Sequence, residues 1–329
     1  MSSSTEVEQK DDHFEELFQR LQPKKPVAGG LVANYQGVWF YADLLQATLT
    51  FQKHFKAIDS DIILATMPKS GTTWLKALTF SIVNRNNHSV DESPLLFSNP
   101  HYLVPFLEIY LYKDGNIPDI DSMPCPRILA THLPYQFLPS SILDCSNNCR
   151  IIYLCRNPLD VFTSVLQFLL QNGRISSPSM SIDVPFERFC QGIHPYGPFW
   201  DHCLGYWDAS LKNPQKVLFL KYEDLKKDIN SSVKKIAGFL GYPFSAEEEE
   251  AGLVEEIAML CSFENLKNLD CNKEGELHAA FRAKHSSFFR KAEVGDWVNV
   301  LTPSMANRLE KLFQEKLGES GLALETNSK

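Results

Sequence analysis

The sequence predicts an α/β fold, a single domain in which helices flank a central parallel sheet. Short apolar runs alternate along the chain with segments of helical periodicity, an order typical of βαβ units. These runs are continuously apolar instead of alternating, as expected of strands that helices cover on both faces. The chain has 329 residues, of which 44% are hydrophobic and 22% charged, so it is not of the disordered class. This length allows one large domain or two smaller ones. We predict a flexible N-terminal arm over residues 1–30 and one domain over residues 31–329.

Local patterns predict the individual elements. The strands are expected at 62–66, 127–133, 150–155 and 216–220, with helices at 72–83 and 158–171. In the C-terminal third, Ser245 and Glu248 have the spacing of a capping box before a helix over 251–260. Thr302 and Pro303 begin a last helix, which Gly318 ends. The segments 85–125 and 173–185 lack a clear period, as lids and binding loops often do.

Composition and charge exclude several classes of protein. A net charge of −8 argues against sequence-independent binding of nucleic acid, which needs a basic face. No apolar run approaches the ~20 residues that span a bilayer, so we expect no membrane association. The polar, acidic N-terminus resembles neither a secretory signal nor a transit peptide, which predicts a cytoplasmic location. The eight cysteines form no C-x-x-C pair, and we expect reduced thiols and no bound metal.

The strongest functional signal lies at residues 62–74, Ile-Ile-Leu-Ala-Thr-Met-Pro-Lys-Ser-Gly-Thr-Thr-Trp. It predicts a strand, a tight turn with Lys69 and Gly71, and a helix that opens with Thr72 and Thr73. A helix N-terminus offers free N–H donors and a partial positive charge, so this P-loop-like turn suits a phosphate or a similar anion. It is not a Walker A loop, because the lysine precedes the only glycine. A surface turn with a threonine cap is the alternative interpretation.

Four further positions favour an anion site and one favours proton transfer. Arg156 ends a predicted strand and Ser164 lies two turns into the next helix, a pair that suits a phosphate monoester. Arg290 and Lys291 form a second basic pair. His132 ends another strand, at the edge where doubly wound sheets bind ligands, and its neutral imidazole can accept a proton. The alternatives are solvated surface charges and a packed core histidine.

These segments resemble those of the plant cytosolic sulfotransferase family. The family's 5′-phosphosulfate loop, Pro-Lys-Ser-Gly-Thr-Thr-Trp, stands unbroken at 68–74, and Tyr-Leu-Cys-Arg-Asn-Pro at 153–158 is similar to its 3′-phosphate segment. Its C-terminal nucleotide motif is matched by Phe-Phe-Arg-Lys-Ala-Glu-Val-Gly-Asp-Trp at 288–297. Further similar runs lie at 197–202, 221–225 and 260–266. The resemblance extends from about residue 40 to residue 324 and, among plant members, is nearest the hydroxyjasmonate type.

The resemblance also implies a role for each matched residue. Contacts to the 5′-phosphosulfate fall to Lys69, Ser70, Gly71, Thr72 and Thr73. Contacts to the 3′-phosphate fall to Arg156, Ser164, Arg290, Lys291 and the backbone N–H of Ala292. The side chains that flank the adenine are Trp74, Tyr222 and Phe263. The catalytic residues are His132, as the base, and Lys69, which neutralises charge on the leaving group.

The chain departs from the family pattern at three places. Ala292 stands where the family has glycine, and we expect its backbone in the ordinary φ < 0 region, where alanine fits without strain. Gln167 replaces a pocket histidine of many plant members, which bears on the choice of acceptor. The dimer motif of animal members is not reproduced over 298–307, so we expect a monomer.

The expected activity is transfer of a sulfuryl group from 3′-phosphoadenosine 5′-phosphosulfate (PAPS) to a hydroxyl of a small, largely apolar molecule, without a metal. Positioning and charge stabilisation would supply most of the catalysis. Two alternatives remain open. One is a non-catalytic protein that binds adenosine 3′,5′-bisphosphate (PAP), and the other is a P-loop nucleotide kinase, which the missing Walker A motif disfavours.

Overall fold

Four parallel strands form the central sheet in the computed structural model, which describes residues 14–24, 31–144, 146–175, 182–277 and 283–325. The sheet order is β4-β3-β5-β6, and short antiparallel pairs, β1 with β2 and β7 with β8, flank it. The strands of the described residues are β1 (Val32–Tyr35), β2 (Val38–Tyr41), β3 (Ile62–Thr66), β4 (Ile128–Thr131), β5 (Arg150–Cys155), β6 (Val217–Lys221), β7 (Glu276–Leu277) and β8 (Ala283–Lys284).

Apolar side chains set the register of the sheet. Ile63 of β3 lies opposite Leu129 of β4 on one side and Ile151 of β5 on the other, and all three are fully buried. The continuous apolar runs are therefore strands covered on both faces, and the predicted α/β fold with a central parallel sheet is confirmed.

Two of the predicted strands have different bounds. β4 covers four residues instead of the predicted 127–133, because the backbone N–H of His132 donates to Glu108 Oε1 and leaves the ladder. At the other end of this strand, the Arg127 guanidinium forms a buried ion pair with Asp61 at 2.7 Å. β6 begins one residue later than predicted, because the N–H of Lys216 closes a turn onto the preceding loop.

Helices pack on both faces of the sheet. Two of them, α2 and α5, begin just after the carboxyl ends of β3 and β5. The α-helices of the described residues after position 31 are α1 (Ala42–His54), α2 (Thr72–Asn84), α3 (Pro100–Leu103), α4 (Ser140–Leu143), α5 (Pro158–Gln171), α6 (Asp183–Cys190), α7 (Phe199–Lys212), α8 (Tyr222–Lys227), α9 (Ile229–Leu240), α10 (Ala246–Glu250), α11 (Leu253–Leu260), α12 (Phe263–Asn268), α13 (Asp270–Lys273) and α14 (Pro303–Leu317).

The predicted caps are present, and one predicted helix is divided. Ser245 and Glu248 form a capping box, but the helix it opens is α10, and Gly252 at φ +79° separates that helix from α11. The single helix predicted over 251–260 was therefore wrong at its start, since the left-handed glycine breaks the helical path. The Thr302 side chain caps α14 by accepting from Met305 N, as predicted.

Two segments without a predicted period are partly ordered by tertiary contacts. Short 3₁₀ turns and a π-helical turn at Leu107–Leu111 occupy the stretch between α2 and β4, where Phe106 pairs with Ala130 at the sheet edge.

Within the predicted N-terminal arm, residues 14–20 are helical and Phe18 is 3% exposed in the main core. Of the predicted loop over 173–185, residues 176–181 lie outside the described residues.

Candidate active site

A cavity of about 310 Å³ opens at the carboxyl edge of the sheet, where the predicted site residues converge. One end of it is rich in cationic groups and the other is apolar. Thirteen of the fourteen predicted site residues line this cavity, namely Lys69, Gly71, Thr72, Thr73, Trp74, His132, Arg156, Ser164, Tyr222, Phe263, Arg290, Lys291 and Ala292. The remaining one, Ser70, is fully buried in the turn itself.

The turn between β3 and α2 requires an unusual backbone. Lys69 has φ +70° and Gly71, the residue before α2, has φ +108°. A Cβ at position 71 would lie 2.8 Å from the Tyr222 ring, so only glycine fits there. The Thr72 hydroxyl is 2.7 Å from the Thr66 hydroxyl at the end of β3, which holds the first turn of α2 against the strand. The free N–H groups of α2 therefore point to the cavity edge, as an anion cradle requires.

Lys69 extends from this turn over aromatic rings. Its Nζ lies 4.1 Å from the centroid of Phe168 and 5.3 Å from that of Phe288, which is the geometry of a cation–π contact. Burial, together with the positive charges of Arg156 and Arg290, lowers the pKa of Lys69 to about 7. An anion in the cavity would reverse this shift, because it stabilises the ammonium form.

Arg156 directly follows β5 and is fixed by groups from three parts of the chain. Its Nη2 donates to Glu293 O at 2.6 Å and lies 3.5 Å from Asp160 in the first turn of α5, while its guanidinium covers the Tyr222 ring at 4.5 Å. The Asp160 carboxylate also accepts from the backbone N–H of Gly295 at 2.9 Å, which attaches the C-terminal motif to α5.

Arg290 and Lys291 share one buried carboxylate. Each side chain lies 2.6 Å from an oxygen of Asp296. Although burial of this carboxyl opposes ionisation, the hydrogen bonds from Lys291 and Arg290 lower the pKa of Asp296. The carboxylate therefore holds both cations at the mouth of the cavity.

The backbone of Ala292 differs from the prediction. Its φ is +55°, in the left-handed region, and not in the ordinary region that was expected for an alanine. The carbonyl of the next residue, Glu293, accepts from Arg156, and this contact holds the turn in place. A Cβ at positive φ costs roughly 1–2 kcal/mol, which explains why glycine is the residue that such a turn favours.

Aromatic side chains form one wall of the cavity. Trp74 and Tyr222 meet edge to face with centroids 5.5 Å apart, and the half-buried Phe263 lines the same part of the cavity. Gln167 is not among the lining residues, although Val165 and Phe168 on the same helix are. The expectation that Gln167 bears on the choice of acceptor therefore stays a prediction.

His132 stands where the cationic and apolar ends meet, with its protonation state fixed by a neighbour. Its Nδ1 lies 2.7 Å from the carbonyl oxygen of Thr66, which can only accept, so Nδ1 carries the proton and Nε2 keeps its lone pair. Burial lowers the pKa of His132 to about 3, so the ring is neutral at pH 7. The site thus holds a neutral imidazole whose Nε2 is unprotonated.

Behind His132 lie four residues that were not among the predicted site residues, Glu108, Tyr196, His202 and Tyr153. Glu108, fully buried in the π-helical turn, accepts from the His132 N–H at 2.8 Å and from the Tyr196 hydroxyl at 3.2 Å. His202 Nε2 donates to the carbonyl of His132 at 2.9 Å, and its Nδ1 is 2.9 Å from the Tyr153 hydroxyl. No local sequence pattern identifies these residues. Their common feature is a set of hydrogen bonds that leads to the backbone N–H and carbonyl of His132, and the fold alone brings them together.

Several buried polar atoms at the cavity have no hydrogen-bond partner within the described residues. Trp74 Nε1, Arg156 Nε and Arg290 Nε belong to lining residues, and Ser70 Oγ lies in the adjacent turn. Buried polar groups are nearly always satisfied in native proteins, so a group of such donors in one place indicates a ligand with several acceptor oxygens or nitrogens.

Comparison with known proteins agrees with this geometry. The family model described as "Sulfotransferase domain" matches residues 59–321. Cytosolic sulfotransferase 15 of Arabidopsis thaliana is 46% identical over 316 residues, which cover 94% of this chain and 86% of that relative. The chain belongs to the plant cytosolic sulfotransferase family. The family and the transferase class predicted from the motifs are thereby confirmed.

Two solved structures share the architecture of this sulfotransferase. A putative steroid sulphotransferase of Arabidopsis thaliana is 40% identical with a TM-score of 0.74, and the match covers 94% of each chain. Mouse sulfotransferase SULT7A1, complexed with PAP, is 29% identical with a TM-score of 0.67 over 88% of this chain and 95% of the mouse chain. Across the described part of this sulfotransferase, no helix has both the length and the apolar character needed to cross a bilayer.

Proposed function

We propose that this sulfotransferase moves a sulfuryl group from PAPS to a hydroxyl of a small, largely apolar molecule. The observation that carries the proposal is the position of His132, whose unprotonated Nε2 belongs to a cavity with cations at one end and apolar side chains at the other. The anionic donor suits the cationic end and the uncharged acceptor suits the apolar end. A base between the two ends is what sulfuryl transfer to an alcohol requires.

The residues present fit PAPS. The turn over 69–73 would hold the 5′-phosphosulfate, and its donors include the unpartnered Ser70 Oγ. Aromatic faces on either side would hold the adenine, which is supported by Trp74, Tyr222 and Phe263 lining one region. The groups that would hold the 3′-phosphate are Arg156, Ser164, Arg290, Lys291 and the N–H of Ala292. PAP in the mouse relative supports this assignment of the ligand class.

Bound PAPS supplies an electrophilic sulfuryl group attached to a good leaving group. His132 Nε2 would take the proton of the acceptor hydroxyl, and the Thr66 carbonyl would keep the ring oriented during that transfer. The Lys69 ammonium would stand opposite the negative charge that develops on the leaving oxygen. Desolvation by the surrounding rings of Phe168 and Phe288 would strengthen that interaction.

The acceptor end of the cavity is lined mainly by hydrocarbon. Its lining residues include Phe106, Ile109, Phe168, Leu169 and Phe189. We therefore propose a neutral or weakly charged alcohol with an apolar skeleton as the acceptor. Alcohols of the hydroxyjasmonate type belong in the first set to be assayed, with flavonoids and steroids.

A non-catalytic PAP-binding protein is the second candidate, and the strained Ala292 favours it. Such a protein would need neither a base nor a cation at the leaving oxygen, whereas His132 and Lys69 both line the cavity.

We also propose that the protein is a monomer in the cytoplasm. The absent animal dimer motif supports the first part and the names of the relatives support the second. Light scattering coupled to size exclusion tests the monomer directly.

The test of the proposed function is a transfer assay with ³⁵S-labelled PAPS and a panel of flavonoid, steroid and jasmonate-type alcohols. We expect a labelled sulfate ester with at least one alcohol and none with the His132→Ala variant. Calorimetry with PAP is run on both proteins. PAP binding without any ester across the panel would favour the non-catalytic candidate, and failure to bind PAP would overturn both candidates.

A further inference from the structure

Three polar side chains form a hydrogen-bonded series directly behind the anion cradle. Thr73 and Lys76 lie on α2, and His101 lies on the short helix α3 that packs against it. His101 Nε2 is 3.0 Å from Thr73 Oγ1, and His101 Nδ1 is 3.1 Å from Lys76 Nζ. Thr73 and His101 line the cavity, whereas Lys76 does not and is 0% exposed. The three groups thus connect a buried amine to a hydroxyl at the ligand surface.

Two groups beside Lys76, an aromatic ring and a carboxylate, favour its ammonium form, whereas its burial opposes that form. Its Nζ lies 3.4 Å from the centroid of the Phe106 ring, a close cation–π contact. Burial lowers the pKa of Lys76, and the negative charge of the buried Glu108 opposes that shift. His101 is the hydrogen-bonded neighbour of Lys76, and the other titratable groups that act on His101 are Lys69, His132 and His285. An ammonium can only donate, which fixes the direction of its hydrogen bond to His101.

The direction of this hydrogen bond determines the direction of the next one, between His101 and Thr73. If Nδ1 of His101 accepts from Lys76, the proton of the neutral ring is on Nε2, and burial together with the charge of Lys76 lowers the pKa of His101 so that the ring is neutral. Nε2–H then donates to Thr73 Oγ1. The hydroxyl proton of Thr73 then has no acceptor among the described residues and is available to the cavity. The opposite direction would turn a lone pair of Thr73 towards an anionic ligand.

We propose that Lys76 and His101 are positioning residues that orient the Thr73 hydroxyl as a hydrogen-bond donor to the 5′ anionic group of the bound nucleotide. The inference rests on the proposed function, because it needs an anion at the N-terminus of α2. His101 also packs at 4.4 Å from Phe288, whose ring faces Lys69, so the same histidine supports the wall behind the catalytic lysine. This pair, Lys76 and His101, is called the relay below. It thereby acts through Thr73 and not by contact with the reacting atoms.

The first test is made on the wild-type protein and so does not depend on the folding of a variant. Long-range ¹H–¹⁵N correlation of histidine-labelled protein reports which ring nitrogen of each histidine carries the proton. We expect the Nε2–H tautomer for His101, with and without PAP. An Nδ1–H tautomer would overturn the proposal, because the hydroxyl of Thr73 would then donate to the ring. The signal is assigned by its loss in the His101→Phe variant.

The second test is a cycle of variants in which the hydroxyl and the relay are removed separately and together. Thr73→Val removes the hydroxyl at constant shape, and Lys76→Met with His101→Phe replaces the relay by apolar side chains. Each should weaken PAP binding by about tenfold or more, since hydrogen bonds to charged groups are of that size. The combined variant should bind no more than about twofold worse than the weaker of the two, because both changes remove one interaction.

Controls separate a local effect from general damage. Adenosine 3′-phosphate lacks the 5′ group, so its affinity should change by less than about twofold in every variant. Thr79→Val is the matched control, because Thr79 is a buried threonine on the same helix, its hydroxyl has no partner among the described residues and it does not line the cavity. Losses that multiply in the combined variant, or equal losses for both nucleotides, would overturn the relay. A wild-type protein that binds no PAP would instead overturn the proposed function.

Discussion

The Nδ1–H of His132 donates to the backbone carbonyl of Thr66 at 2.7 Å, which links the end of β4 to the end of β3. Three residues beyond that carbonyl, Lys69 leaves the same strand for the anion cradle. The proposed base and the cradle are therefore both attached to one edge of the sheet, and this edge sets their separation. Such preorganisation is what a reaction that relies on positioning needs.

His132→Ala should lower kcat by about 10²–10⁴-fold and leave PAP affinity within about twofold of the wild type. The reason is that, in the proposed mechanism, the imidazole accepts a proton during transfer, while the proposed contacts to the nucleotide come from other residues. Steady-state assays and calorimetry with PAP measure the two quantities. The exposed His88 provides the control, since His88→Ala should alter neither. Turnover within a fewfold of wild type would remove His132 from the mechanism.

Arg156→Ala and Arg290→Ala should each weaken PAP binding by about 10–100-fold, the size of a charge-assisted hydrogen bond, and change adenosine 5′-phosphate binding far less. Only PAP carries the 3′-phosphate that these side chains would hold. Calorimetry with both nucleotides checks the prediction. Arg308→Ala, which removes a surface ion pair with Glu187, is the matched control. Similar losses for both nucleotides would show that the arginines do not serve the 3′-phosphate.

PAP affinity should fall as pH rises above 7. The pKa of Lys69 is about 7, and a bound anion raises it, so the protein with bound nucleotide holds a proton that the free protein has lost. Affinity is thus full below pH 7 and declines between pH 7 and the raised pKa, by at most about tenfold per pH unit for one proton. Calorimetry between pH 7 and 9 keeps the phosphates, whose second pKa is ≈ 6, ionised. The Lys69→Arg variant keeps its charge over that range, and a slope equal to that of wild type would contradict the prediction.

Ala292→Gly should stabilise the fold by about 0.5–1 kcal/mol, because it relieves a left-handed alanine while adding some freedom to the unfolded chain. PAP affinity should change by less than about fivefold, since the strain belongs to the fold of the turn and not to the ligand contact. Thermal and urea unfolding measure the first effect. Ala251→Gly is the control, because Ala251 has an ordinary φ of −74° and should gain nothing. A fiftyfold gain in affinity would instead favour the non-catalytic candidate.

The sequence was sufficient for the parts of the fold whose signal is local. Residues 62–66, 150–155 and 158–171 have the predicted bounds, because continuous apolar runs and a proline-started helix are unambiguous patterns. The cradle could be predicted as well, since its turn, glycine and following helix are contiguous in the chain. The resemblance supplied the distant members, such as Arg290, whose local context gives no more than a surface charge.

The parts that the sequence did not predict depend on contacts between distant segments. Glu108 and His101 lie in a stretch without a period, and each is defined by a partner on another element, the His132 backbone in one case and Lys76 in the other. The sign of φ at Ala292 also could not be predicted from residue type, because the turn is fixed from outside by Arg156. These features therefore depend on tertiary hydrogen bonds, which override the local conformational preferences of the residues.

The carboxylates of Asp160 and Asp296 have a consequence for selectivity among the anions of a cell. They lie against Arg156, Arg290 and Lys291, so two negative charges offset most of the charge of three cations. With a chain of net charge −8 around it, this pocket exerts little general attraction on polyanions. Abundant nucleoside triphosphates therefore gain little from their charge alone. A ligand must place a phosphate where the fixed donors already point, and that favours a 3′-phosphorylated nucleotide over the more plentiful competitors.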